Sequence, residues 1–70
     1  MSRDFMAVIK QDGEWWIGWV EELPGVDAQE RTLEELQASL KVALEEALEF
    51  NRQDARAAAG GSYSEITIAV

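Results

Sequence analysis

Four stretches of the chain carry a clear hydrophobic rhythm. Phe5 to Lys10 (FMAVIK) and Trp15 to Val20 (WWIGWV) are short apolar runs separated by Gln11-Asp12-Gly13-Glu14. Asp-Gly between two such runs signals a β-hairpin, because a type I′ turn needs φ > 0 at both central residues and this pair tolerates it. With Asp12 and Gly13 at the turn, Lys10 pairs with Trp15, Val8 with Ile17 and Met6 with Trp19 on one face. Ile9 then pairs with Trp16, Ala7 with Gly18 and Phe5 with Val20 on the other. Glu21-Glu22-Leu23-Pro24-Gly25 closes the second strand: Pro24 presets φ and Gly25 is free to take φ > 0. Val26 to Arg31 (VDAQER) reads as a polar edge strand, charged in the way that discourages pairing with other chains.

Thr32-Leu33-Glu34-Glu35 matches the S/T-x-x-E capping box, so a helix begins here with Thr32 as N-cap. Apolar residues recur at Leu33, Leu36, Leu40, Ala43, Leu44, Ala47 and Leu48, and these spacings of three and four define one helix face. The helix is expected to run through Ala57 to Ala59 and stop at Gly60-Gly61. Tyr63 to Val70 (YSEITIAV) alternates Ile66, Ile68 and Val70 with Glu65, Thr67 and Ala69, the pattern of a last strand. The predicted fold is α+β, a two-layer β-β-β-α-β unit. One long helix covers one face of a mixed four-stranded sheet of order 3-2-1-4, the last strand arriving by a right-handed crossover.

Both hairpin faces are apolar, whereas a sheet with one solvated face should alternate apolar with polar. The face with Ala7 and Gly18 is flat enough to admit a helix closely, so it is assigned to the core. Met6, Val8, Trp15, Ile17 and Trp19 then lie on a face that the single helix leaves bare. An apolar patch of that size is uncommon on a monomer. These five residues are therefore the expected subunit interface of a homodimer, or of a tetramer built from dimers.

Composition narrows the chemistry. The chain has 70 residues, 6 Lys and Arg against 14 Asp and Glu, and a formal net charge of −8. So much negative charge opposes nucleic-acid binding, which requires cations to neutralise phosphates; it suits a basic protein partner. There is no His and no Cys, which removes zinc fingers, disulfide frameworks, thiol nucleophiles and His general bases. No apolar run approaches the ~20 residues of a membrane span, and the N-terminus has no apolar signal core, so a cytoplasmic location is expected. A chain this short gains little net stability from one core, and dimerisation is the remaining source.

Ala7-Val8-Ile9, Asp12-Gly13, Trp16-Ile17-Gly18-Trp19-Val20, Glu22-Leu23-Pro24-Gly25 and Thr32-Leu33-Glu34-Glu35-Leu36 together resemble the N-terminal domain of HicB-type antitoxins. The resemblance covers roughly Phe5 to Asn51. It implies a partial ribonuclease-H-like fold, dimerisation, and binding to a small basic ribonuclease toxin, HicA, without catalysis. Antitoxins of this kind usually carry a C-terminal DNA-binding segment. The chain reads instead as one HicB-like domain over residues 1–70 without that segment.

A ribonuclease-H-like active site would need acidic groups converging on divalent metals, the first of them within the first strand. Phe5 to Lys10 offers none, and the adjacent Glu21 and Glu22 point to opposite sides of a strand. Ser2, Ser39, Ser62 and Ser64 have no His to activate them. No enzyme, metal or cofactor is expected. Binding remains, with an acidic surface complementary to a cationic partner. Its candidates are Glu21, Glu22 and Asp27 around the turn and edge strand, and Glu34, Glu35, Glu45, Glu46 and Glu49 along the helix. The expected function is an antitoxin-like homodimer that sequesters a small basic ribonuclease. The alternative is an orphan regulatory or structural homodimer without a toxin, holding a small ligand between subunits, with acidity serving solubility alone.

Overall fold

A computed structural model describes residues 4–69. Three strands and one helix follow one another along the chain: β1 (Ala7–Asp12), β2 (Trp15–Val20), β3 (Asp27–Glu30) and α1 (Leu33–Ala59). The strands form an antiparallel meander in the order β1-β2-β3. The expected mixed four-stranded sheet of order 3-2-1-4, and with it the partial ribonuclease-H-like architecture, is therefore corrected. Among the described residues the segment from Tyr63 is exposed and joins no strand, with Ile66 and Ile68 84% and 79% accessible; Val70 lies outside the described residues. Helix length supplies the reason. At about 1.5 Å per residue, a helix of this size carries the chain about 40 Å away. The chain emerges far from the β1 edge, and Arg56 holds Glu65 at 3.3 Å near the helix end.

The hairpin register also differs from expectation. Ala7 pairs with Val20, Ile9 with Gly18 and Asp12 with Trp15, so the two-residue loop is Gly13-Glu14, not Asp12-Gly13. Gly13 has φ +63, and Asp12 and Glu14 do not have positive φ. A single positive φ at the first loop position matches a type II′ turn, which only Gly needs to accommodate. The pairing thus shifts by two residues. A two-residue shift leaves every side chain on its original face, so the predicted division into two faces survives the corrected register.

The second turn follows its sequence. Val26 N–H donates to the Leu23 carbonyl at 3.3 Å, and Gly25 adopts φ +87, the type II geometry for Pro-Gly. At the start of α1, Thr32 Oγ1 accepts from Glu35 N–H at 3.1 Å and donates to Glu35 Oε1 at 2.9 Å. The cap thus satisfies one orphan amide and also fixes the first-turn carboxylate near the positive end of the helix. At the far end Gly60, with φ +83, donates its N–H to the Ala57 carbonyl at 3.2 Å.

α1 lies on the sheet face that carries Ile9, Gly18 and Val20. Leu36 is fully buried and Leu40 is 7% exposed; Val20 and Val26 complete the buried core. Gly18 permits this approach: a Cβ there would stand 3.1 Å from Ile9 Cγ2, 3.2 Å from Leu40 Cδ1 and 3.3 Å from Leu36 Cδ2. The helix packs across β2 and β3 and stands off β1. Ser39 Oγ donates to Glu30 Oε2 at 2.7 Å, tying α1 to the edge strand β3. Beyond Leu48 every described helical residue is exposed, so the distal part of α1 overhangs the sheet.

Candidate protein-binding surfaces

Strand alternation builds the first surface. Side chains two apart share a face, and the ladder sets Val8 opposite Trp19 and Lys10 opposite Ile17 on the side away from α1. β3 extends the same face, with Asp27 opposite Trp19 and Gln29 opposite Ile17. Trp15 and Trp19 are 38% and 42% exposed, large fractions for indoles, and Ile17 is half-buried between them. Four of the five expected interface residues, Val8, Trp15, Ile17 and Trp19, are thus brought together. Met6 stands just before β1 and borders the groove beside the helix.

Arg31 frames one end of this face. Its guanidinium lies 4.8 Å from the Trp15 ring centroid and 3.5 Å from Glu14 Oε2. A cation over an indole is attracted by the ring quadrupole and covers part of its apolar surface. Sequence reading passed over this contact, although the β2–β3 ladder contains it: continuing the Trp16–Glu30 pairing by one residue sets Arg31 opposite Trp15.

The acidic candidates do not converge. Glu22 accepts the Met6 N–H at 3.1 and 3.2 Å through its two oxygens, extending the hairpin past the end of β1. Glu35 is engaged in the helix cap. Glu49 contacts Arg52 at 3.7 Å and accepts from Gln53 at 3.3 Å. Glu21, Asp27, Glu34, Glu45 and Glu46 are exposed and distributed over the turn, the sheet face and the helix. Among the described residues no three acidic groups stand close enough together to hold a metal ion, and no helix is long and apolar enough to cross a membrane.

A second surface was not anticipated. Because α1 stands off β1, an open groove of roughly 780 Å³ runs beneath the helix along that strand, lined by Ala7, Ile9, Val20, Leu36, Leu40 and Leu44 among others. The lining is chiefly aliphatic, and Lys41 is the cation at its margin. Both surfaces offer apolar area beside an open strand edge or a polar rim.

No curated protein and no solved structure matches the chain. One family does, over residues 6–55, a span that takes in all three strands, the Pro-Gly turn, the capping box and α1 as far as Ala55. The chain belongs to the UPF0150-like family.

Proposed function

We propose that the chain is a non-enzymatic protein-binding module, an antitoxin-like homodimer that sequesters a small basic ribonuclease of the HicA kind. The observation that carries the protein-binding reading is the indole-rich sheet face around Ile17, which its own helix does not cover. The UPF0150-like family is associated with HicB-like antitoxins, and a net charge of −8 suits a cationic partner. On this reading the aromatic face joins two protomers. Exposed carboxylates, Glu21, Asp27, Glu34, Glu45 and Glu46 foremost, then steer the toxin and cover its RNA-binding surface.

The test is an RNA-cleavage assay with a small basic ribonuclease of the HicA kind. Adding the chain should abolish cleavage near stoichiometric ratio, and raising the salt should weaken inhibition through slower association. Undiminished cleavage at saturating chain rejects the toxin partner and leaves a homodimer with another role.

A further inference from the structure

Two features of the fold are left open among the described residues, the second held only where Arg56 pairs with Glu65. The first is the edge of β1. Glu21 N–H donates to the Met6 carbonyl at 2.9 Å, and alternation along an antiparallel ladder then turns the N–H and C=O groups of Ala7, Ile9 and Gln11 away from β2. Beneath that edge lies the aliphatic groove. The opposite edge, β3, is guarded by Asp27 and Glu30, whereas the first half of β1 presents Ala7, Val8 and Ile9, with Lys10, Gln11 and Asp12 following towards the turn. The second feature is Tyr63–Ala69, outside any strand, with Ile66 and Ile68 on one side of an alternating pattern and both almost wholly exposed.

The two complement each other, but within one chain they can meet only along the outer part of the groove. Along the helix axis Ala59 stands about 22 Å past Leu44 and about 35 Å past Leu36, at about 1.5 Å per residue. A fully extended segment covers about 3.3 Å per residue, which lets Ile66 reach about 23 Å back from Ala59 and Ile68 about 30 Å. Ile66 would only draw level with the outer end of the groove. Ile68 would draw level with Leu40, about 28 Å back, and stop short of Leu36, even with the Gly60–Ser62 turn pulled straight. A second copy has no such restriction.

We infer that Tyr63–Ala69 of one protomer adds as a strand along the β1 edge of a second copy, seating Ile66 and Ile68 in that copy's groove, and that the exchange is reciprocal. Backbone pairing supplies the attachment and the alternating isoleucines the specificity, as in strand addition generally. A two-fold arrangement completes both grooves at once. This contact goes beyond the function proposed above: it uses a different surface from the indole face and stands whether or not a toxin exists.

The test combines sedimentation with isotope-filtered NMR on an equal mixture of ¹⁵N-labelled and ¹³C-labelled chains. Expected are nuclear Overhauser contacts between Ile66 or Ile68 of one chain and Ile9, Leu36 or Leu40 of the other. The double variant Ile66→Glu, Ile68→Glu should weaken dimerisation by at least about 100-fold, since it removes two aliphatic anchors. It should keep the helical circular dichroism, because both positions are exposed in the single chain. A monomer at NMR concentrations, contacts confined to one chain, or unchanged sedimentation of the double variant would overturn the inference. If Ile17→Lys dissociates the dimer and the double variant does not, strand exchange falls and the indole-face dimer stands; the reverse result falls the other way.

Discussion

Gly18→Ala tests how closely α1 sits on the sheet. The added Cβ would lie 3.1 to 3.3 Å from three side-chain carbons, one on Ile9 and two on the helix leucines. Those distances require each neighbour to retreat by a few tenths of an ångström. Ile9 can retreat, being 41% exposed, but Leu36 is fully buried and Leu40 nearly so. Forcing a methyl into a filled contact costs about 1–3 kcal/mol. Replacing Gly by Ala where φ is ordinary returns about 0.4–1 kcal/mol by restricting the unfolded chain. At the middle of both ranges the net expectation is a loss of about 1.3 kcal/mol, a fall in melting temperature of roughly 5–10 °C for a domain of this size. Urea unfolding followed by tryptophan emission reads it, at one fixed protein concentration so that any dimer contributes equally. Gly18→Val, with two further carbons to place, should cost more than Gly18→Ala. A Gly18→Ala protein as stable as the parent would refute the reasoning, because it would mean that the helix is not seated at this distance.

Other expectations follow from single contacts. Thr32→Ala removes the N-cap oxygen and should cost about 1 kcal/mol in denaturant unfolding, whereas Thr32→Ser should recover most of it. Ser39→Ala cuts the 2.7 Å link to Glu30 and should cost about 1 kcal/mol, read the same way. Arg31→Ala uncovers the Trp15 ring; its stability effect should stay below about 1 kcal/mol because the pair is largely exposed, while Trp15 emission shifts. Ile17→Lys places an unpaired charge at the centre of the indole face and should halve the mass measured by light scattering if that face joins protomers; an unchanged mass would remove it as the interface.

Local signals were the most legible part of this fold. Thr32 and Glu35 announce the helix start, Gly60 its end, and Pro24-Gly25 the second turn, because each acts within a few residues of itself. The hairpin was found but misregistered. Asp12-Gly13 and Gly13-Glu14 are both acceptable loop centres by composition, and the second prevails because it asks for one positive φ instead of two. Within the strands the division into two faces holds, since parity, unlike register, is unaffected by a shift of two; Met6, ahead of β1, borders the groove instead. The last strand was misjudged for a non-local reason. The alternation of Ile66 and Ile68 states a preference for extended pairing, but whether a partner lies within reach depends on where a 27-residue helix delivers the chain. The indole face was legible as an uncovered surface. The groove beside β1 was not, because it follows from the helix sitting over β2 and β3, a lateral offset that no periodicity encodes.

The overhang of α1 divides the helix into two unequal regimes of protection. From Leu33 to Leu48 the helix rests on the sheet, and its amides should exchange with solvent only as the domain opens. From Glu49 to Ala59 every residue is exposed and the sheet lends no support, and eleven residues are too few to hold a helix in water by themselves; this part persists as a continuation of the anchored turns. Deuterium should therefore enter from the distal end inward, and trypsin should cut first after Arg52 and Arg56, leaving a fragment that keeps the sheet, Leu36 and Leu40 intact.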